Sequence, residues 1–176
     1  MTEPQSPRLL NRTSHASPFM EIRQTLASRV MDISPFVEHL MSFVQPLIAT
    51  VSAMDGSEAD IEIALREALC NAVVHGNHED PQKKVYVTFR FRMDGEISIT
   101  VQDEGKGFNP DVLADPTDGS ERLLCHGRGV YLMQALMDEV SFENKGNIVH
   151  MKKRLGPSLL PGSITHLQDP RPVVLQ

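Results

Sequence analysis

The sequence IEIALREALCNAVVHGN at residues 61–77 predicts a long amphipathic helix, around which the rest of the chain can be placed. With about 100° between successive helical residues, Leu65 and Leu69 share one face with the alanines between them and beside them. A face this apolar indicates a helix that is largely covered by other elements. Gly76 and Asn77 are suited to end it as a left-handed pair.

Three polar side chains follow one another along this helix at intervals of four residues: Glu67, Asn71 and His75. That spacing stacks them in a line at the edge of the apolar face. Such groups must find partners, because unpaired polar groups in a half-buried setting are costly. The helix alone leaves two interpretations open. The line is either a polar seam that bonds a neighbouring element, or a site where a carboxylate and a metal-ligating amide face a ligand.

The composition limits the class of protein. The chain has 176 residues and a formal net charge of −6, which predicts one globular domain and disfavours nucleic acid as a partner, because phosphate contacts need basic residues. No apolar run approaches the roughly 20 residues that span a bilayer, and the N-terminus lacks the apolar region of a secretory signal. The two cysteines have no CxxC spacing. We therefore predict a reduced, cytoplasmic protein that binds neither membrane nor nucleic acid.

Two half-buried strands follow the central helix, because apolar and polar residues alternate there. A three-residue turn at 93–95 keeps the apolar positions on one face and places Arg92 opposite Glu96. A two-residue turn of Asp94 and Gly95 would break this parity. The apolar positions are all odd-numbered: Val85, Val87, Phe89, Phe91, Ile97, Ile99 and Val101.

Asp103 has the same parity as these apolar residues, so its carboxylate is predicted to point to the covered face at the end of the strand. A charge there needs a hydrogen-bond donor, either from the protein or from a ligand. Gly105 and Gly107 come directly after it and allow the backbone to pass close to another group. The pattern DxGxG is a weak signal alone and a much stronger one after a helix that carries ExxxN.

A second pair of glycines, Gly127 and Gly129, flanks Arg128 at the start of another predicted helix. Free backbone N–H groups at a helix N-terminus suit a phosphate; a simple glycine hinge is the alternative. Residues 108–126 separate the two glycine segments. Their length is typical of a functional lid or of a disordered segment.

The domain limits follow from where periodicity is lost. Residues 1–18 are predicted to be a flexible arm, residues 19–155 the domain, and residues 156–176 a Pro-rich tail. The first helix of the domain contains Pro46, which is predicted to kink it or end it early. Further strands are predicted at 19–26, 140–143 and 148–154.

Three segments, in this order, resemble the GHKL (Bergerat-fold) ATPases, a group shared by histidine kinases and type II topoisomerases. EALCNAVVHGN at 67–77 resembles the N box, DEGKG at 103–107 the first glycine box, and HGRGVYLMQALMDEV at 126–140 the second. Within that group the chain is most similar to anti-sigma-factor serine kinases of the RsbW type. The resemblance covers about residues 20–155. It implies an α+β two-layer sandwich in which about three helices cover one face of a mixed, mainly antiparallel sheet.

The resemblance also implies ATP and Mg²⁺ as cofactors and gives roles to particular residues. Asn71 would hold Mg²⁺ through its side-chain oxygen, a hard ligand for a hard cation. Glu67 would act as general base on the attacking hydroxyl, and Asp103 would accept a hydrogen bond from the adenine amino group. His75 would support the N box or take part in catalysis. The other nucleotide-binding residues that the resemblance implies are Gly105, Gly107, Phe108, Gly127, Arg128, Gly129, Val130 and Asn147.

The sequence departs from the family pattern at two places. Asn147 follows the last glycine, where many members have Thr or Ser that supports the adenine site through a hydroxyl group. Cys125 and His126 occupy the place where anti-sigma kinases have a lid arginine, so Arg122 or Arg128 would have to serve. The second departure bears more on kinase activity than on ATP binding.

The resemblance implies an ATP-dependent serine protein kinase that is also an anti-sigma factor. It would form a homodimer, bind a sigma factor, and phosphorylate an antagonist STAS-domain protein, the anti-anti-sigma factor. One alternative is a nucleotide-dependent binding switch with little turnover, which has no need of a base at Glu67. Another is a histidine-kinase module acting in trans, since none of the seven histidines lies on a predicted paired-helix hairpin.

Overall fold

The computed structural model describes residues 8–10, 19–51, 56–107 and 128–156. Their strands form one sheet with the spatial order β1-β2-β3-β4-β6-β5, in which every pairing is antiparallel. No parallel component of the predicted mixed sheet occurs among these described strands. The strands are β1 Arg8–Leu10, β2 Phe19–Ala27, β3 Lys84–Arg92, β4 Glu96–Asp103, β5 Glu139–Glu143 and β6 Ile148–Arg154.

In the described ranges, three α-helices lie on one face of this sheet and share a single hydrophobic core with it. They are α1 Ile33–Val51, α2 Ser57–Cys70 and α3 Arg128–Leu136. The inward residues of β3 and β4 are buried, whereas their outward neighbours are half-buried or exposed. The predicted α+β fold with helices on one face is therefore confirmed.

The hairpin register is the one that the parity argument predicts. Val85 lies opposite Asp103 and Phe91 opposite Ile97. Gly95 has a φ of 87°, the left-handed conformation that a three-residue turn needs. Arg92 Nη1 lies 3.3 Å from Glu96 Oε1 on the outer face. Since the register is confirmed, Asp103 lies on the covered face as expected.

Two features at the N-terminal side differ from the sequence-based expectation. α1 continues past Pro46 to Val51, so the expected early end is wrong. Pro46 lies on the exposed side of α1, where water can bond the carbonyl that a proline leaves without a partner. Arg8–Leu10, within the predicted arm, pair with the outer side of β2. No alternation in the sequence indicated that short strand.

The end of the central helix also differs. α2 continues directly into a π-helical turn, Asn71–Gly76, in which the Asn77 N–H donates to the Ala72 carbonyl at 2.8 Å. Asn77 has a φ of −88°, so the predicted left-handed pair is wrong. The left-handed residues are the next two, His78 and Glu79. π-turns within helices are frequent at functional sites.

Asn77 explains why the helix ends in this way. Its side chain is fully buried and makes three hydrogen bonds. The amide nitrogen donates to Ser28 Oγ at 2.7 Å and to the Lys84 carbonyl at 2.9 Å, and the amide oxygen accepts from the Glu104 N–H at 2.9 Å. This one side chain therefore joins the helix end to the segment after β2, to β3 and to the residue after β4.

We expect Asn77→Ala to destabilise the protein by about 3 kcal/mol, because it leaves several buried polar groups unpaired. Urea denaturation measures this as a lower midpoint with an unchanged slope. Gln82→Ala, an exposed position in the adjacent loop, is the control and should change stability by less than about 0.5 kcal/mol. A loss below about 1 kcal/mol for Asn77→Ala would show that water replaces the amide.

Candidate functional site

A cavity of about 210 Å³ lies between the helices and the sheet. Its polar lining includes Asp103 at the end of β4 and Asn147 just before β6. Apolar side chains from α3 and the closing hairpin also line it. The lining residues are Ala68, Asn71, Ala72, His75, Gly76, Val101, Asp103, Gly107, Val130, Met133, Phe142, Gly146, Asn147 and Val149.

Asp103 is the buried carboxylate of this cavity and is only 7% exposed. Its Oδ1 accepts a hydrogen bond from the Gly105 N–H at 2.7 Å, and its own N–H donates to the Asn147 carbonyl at 3.0 Å. Burial raises the pKa of Asp103, and the Gly105 N–H and the nearby Lys83 charge offset this only in part. A ligand that donates a hydrogen bond to this carboxylate would therefore stabilise its charged form.

Glycines are required around Asp103 because the backbone is closely packed there. A Cβ atom on Gly76 would lie 2.6 Å from both carboxylate oxygens of Asp103, and one on Gly105 would overlap the Gly76 carbonyl. Gly107 has a φ of 75°, and a Cβ atom there would meet the Lys145 carbonyl group. Gly107 lines the cavity. Gly105 does not line it, but the absence of a side chain there lets the segment after β4 pack against the backbone of Gly76.

Asn147 adds a second acceptor next to Asp103. Its Nδ2 lies 3.4 Å from the Asp103 carbonyl oxygen, which orients the amide. The Oδ1 atom is buried and has no hydrogen-bond partner among the described residues. A buried acceptor without a partner is costly unless a ligand or water occupies it. A ligand or water that donates a hydrogen bond would therefore satisfy this oxygen.

Asn71 also lines the cavity, and both Asn71 and Glu67 lie against the start of α3. A Cβ atom on Gly129 would be 2.8 Å from Glu67 Oε2 and 3.4 Å from both amide atoms of Asn71. Within the described part of the chain, no hydrogen bond occupies either side chain. A carboxylate and an amide oxygen that are not hydrogen-bonded by any described residue thus meet the N-terminal end of a helix, where anions are favoured.

The metal-binding capacity of this end comes from Asn71 rather than from a cluster of side chains. No group of three or more His, Cys, Asp or Glu that could hold a metal occurs among the described residues. Mg²⁺ is commonly held by one or two protein oxygens together with substrate phosphates and waters. The free Asn71 oxygen, close to Glu67 and to the start of α3, fits that arrangement.

The other predicted site residues divide into three groups. Val130 lines the cavity, as does His75 at its exposed mouth. Arg128 is the exposed first residue of α3. Phe108, Gly127 and the predicted lid with its arginine lie outside the described residues.

Sequence reasoning missed the apolar lining supplied by Met133, Phe142 and Val149. Met133 is completely buried on α3, and the other two lie opposite each other in the closing hairpin. A signal for Phe142 was present, because the alternation of β5 places it on the inner face with Val140. That hydrophobic wall suits the flat faces of a bound aromatic group.

Residues 36–153 match the family described as "Histidine kinase-like ATPase domain", which is more than half of the chain. The chain belongs to this family. It is also similar to proteins named "Anti-sigma F factor". The one from Heyndrickxia coagulans is 32% identical over 65% of this chain and 78% of its own length. The one from Geobacillus thermodenitrificans is 34% identical over 66% of this chain and 80% of its own length. The one from Clostridium perfringens is 34% identical over 65% of this chain and 81% of its own length.

These comparisons confirm the resemblance that the three motifs carry, including its likeness to anti-sigma factors. An ATPase domain of this family implies that the protein binds ATP. None of the described helices is both long and apolar enough to cross a membrane.

Proposed function

We propose that this protein is a Mg²⁺- and ATP-dependent serine kinase that also acts as an anti-sigma factor. It would phosphorylate a STAS-domain antagonist and bind a sigma factor. The observation that supports the kinase assignment is the Glu67 carboxylate, which lies beside Asn71 at the start of α3 and has no hydrogen bond to any described residue. The names of the similar proteins support the sigma-factor partner.

In this proposal each end of the cavity has its own task. Asp103 accepts a hydrogen bond from the adenine amino group, and the apolar wall packs on the base. Asn71 would hold Mg²⁺, which neutralises phosphate charge when bound. The free N–H groups at the start of α3 would bind phosphate oxygens.

The transfer step assigns a proton to Glu67. A serine hydroxyl oxygen of the substrate protein forms a bond to the terminal phosphorus, and the bond between that phosphorus and the bridging oxygen breaks. ADP leaves with the electron pair of that bond, and the Glu67 carboxylate accepts the hydroxyl proton. Such reactions depend mostly on positioning and charge neutralisation.

The decisive experiment is incubation of the purified protein with Mg²⁺, ATP labelled at the γ-phosphate and the STAS-domain protein from the same cell. Label on a serine of that protein is the expected result. Nucleotide-dependent sigma-factor binding without label would favour the binding switch instead. Label on a histidine would favour the histidine-kinase module.

The partner assignments are part of the same proposal. A cytoplasmic homodimer needs a contact surface, and the segment before α1 exposes apolar side chains at Val30 and at Met31, the latter 76% exposed. Phe43 on α1 is also exposed. Light scattering at micromolar concentration tests the dimer, and a monomer there would contradict it.

Asp103→Asn tests the base site. It replaces an acceptor-only carboxylate with an amide that also carries donors, so ADP and ATP should both bind about 5- to 150-fold more weakly, the equivalent of about 1–3 kcal/mol. Calorimetry measures both affinities. Asp94→Asn, in the exposed hairpin turn, is the matched control. Unchanged ADP affinity in Asp103→Asn would contradict the adenine assignment.

The pH dependence gives a second readout of the same assignment. Burial raises the pKa of Asp103 in the ligand-free protein. The ionised carboxylate accepts hydrogen bonds at both oxygens, whereas the protonated acid carries an O–H donor that cannot pair with the adenine amino group. ADP affinity should therefore fall as the pH is lowered through that raised pKa, and Asp103→Asn should flatten the change. Because the folded pKa is raised, the ligand-free protein should instead lose stability as the pH rises through the same range.

A further inference from the structure

Lys153 is a charged residue that lies outside the candidate site and on the covered face of the sheet. It shares its parity on β6 with the buried Val149 and Met151, and its side chain is 15% exposed. Its ammonium group donates to Asp60 Oδ2 at 2.9 Å and to the Leu136 carbonyl at 2.6 Å. An ammonium group this far from water is costly unless it is paired and hydrogen-bonded, so both contacts restrain it.

The two acceptors lie at opposite ends of two helices. Leu136 is the last residue of α3, and its carbonyl is among those that a helix leaves without an internal partner. A cation at this end is also favoured by the helix dipole. Asp60 belongs to the first turn of α2. Lys153 therefore joins the C-terminal end of α3 to the N-terminal end of α2.

The other ends of the same two helices meet at the candidate site, where Gly129 lies against Glu67. The two helices therefore run antiparallel. Asp60 to Glu67 and Gly129 to Leu136 each span seven residues, which is about 10 Å of helix in both cases. Because the two spans are equal, the contacts of Lys153 with Asp60 and Leu136 at one end determine where Gly129 lies relative to Glu67 at the other end.

We propose that Lys153 is a positioning residue for phosphoryl transfer. It holds α3 at the axial position that brings the free N–H groups of its first turn beside Glu67 and Asn71. The inference rests on the proposed function and extends it to a residue that touches neither nucleotide nor metal. The base end of the cavity is formed mainly by Asp103 and by Phe142 and Val149 of the closing hairpin, with Met133 as the contribution of α3. A shift of α3 along its axis therefore affects the phosphate end most.

The test compares Lys153→Met with the wild type. Methionine retains the length and apolar character of the side chain but removes the ammonium group. ADP should bind nearly as in the wild type. The ATP preference, defined as the ratio of ATP affinity to ADP affinity, should fall below its wild-type value, and transfer should fall about 10²-fold, the scale of a 1 Å displacement. Calorimetry with Mg²⁺ gives the two affinities, and labelled ATP gives the rate.

Two further variants separate positioning from simple stabilisation. Lys153→Arg keeps a cation that can reach both acceptors and should restore the ATP preference. Lys152→Met alters the neighbouring lysine, which pairs with Glu139 at 2.6 Å on the opposite face, and should behave as the wild type. An equal loss of ADP and ATP binding in Lys153→Met, or an unchanged ATP preference, would overturn the proposal.

The remaining outcomes distinguish this inference from the proposed function. If Lys153→Met does not fold, Asp60→Asn applies the same test, because it weakens one contact and leaves the bond to Leu136. A lower ATP preference then supports the proposal, and an unchanged one overturns it. A wild type that binds both nucleotides but transfers no phosphate contradicts the kinase assignment alone, and the affinity ratio still decides the role of Lys153. A wild type that binds neither nucleotide contradicts both.

Discussion

Replacing Glu67 with glutamine is expected to lower phosphoryl transfer by about 10²- to 10⁴-fold, the usual contribution of a general base, while leaving ADP and ATP affinity nearly unchanged. Glutamine has the shape of glutamate and fits beside Gly129, but it does not accept the hydroxyl proton. Single-turnover transfer from labelled ATP measures the rate, and calorimetry measures binding.

The matched control for this variant is Glu62→Gln. Glu62 lies on the same helix, where it pairs with Arg66 at 2.8 Å, and its loss should leave transfer unchanged. If Glu67→Gln transfers phosphate at the wild-type rate, Glu67 is a structural residue of the α2–α3 contact. The same result would favour the nucleotide-dependent binding switch over the kinase.

Gly105→Ala is expected to destabilise the protein by about 3 kcal/mol and to reduce nucleotide affinity about 100-fold or more. The new methyl group would overlap the Gly76 carbonyl and would lie 2.7 Å from Asp103 Oδ1. A backbone carbonyl does not turn aside as a flexible side chain does, so β4 and the π-helical turn would have to separate. The acceptor at Asp103 would move with them.

Gly56→Ala is a suitable control for that substitution. Gly56 has a φ of 86° and no atom within 4 Å of the position of its missing Cβ, so alanine there adds backbone strain of about 1 kcal/mol without a collision. It should lower the denaturation midpoint and leave ADP binding intact. If Gly105→Ala binds ADP as tightly as the wild type, the close packing at Asp103 does not control the base site.

The sheet and the position of Asp103 were predictable because a strand has a period of two. Once the odd-numbered residues of β3 were assigned to the core, a three-residue turn kept the next strand in phase whereas a two-residue turn did not, and the face of Asp103 followed. The line of Glu67 and Asn71 was predictable for a similar reason, since helical spacing is fixed along one element. Both inferences need only neighbouring residues.

The parts that were not predictable depend on contacts between distant segments. The π-helical turn forms where Asn77 bonds Ser28, which lies 49 residues away. The periodicity of a helix gives no information about a partner so distant in the sequence. The contacts of Lys153 were equally unpredictable from the sequence, because its partners are Asp60, 93 residues earlier, and a backbone carbonyl. The need for glycine at 105 also arises from a backbone segment that lies far away in the chain.

The π-helical turn at Asn71–Gly76 makes this site depend on the number of residues as well as on their identity. Removal of a single residue there would let the chain close into an ordinary α-helix, and every later residue would rotate by about 100°. Gly76 would no longer face Asp103, and Asn77 would lose its three partners. Natural sequences that retain Glu67, Asn71 and Asp103 but are one residue shorter within this turn would therefore keep the chemical groups of the site without the geometry that brings them together.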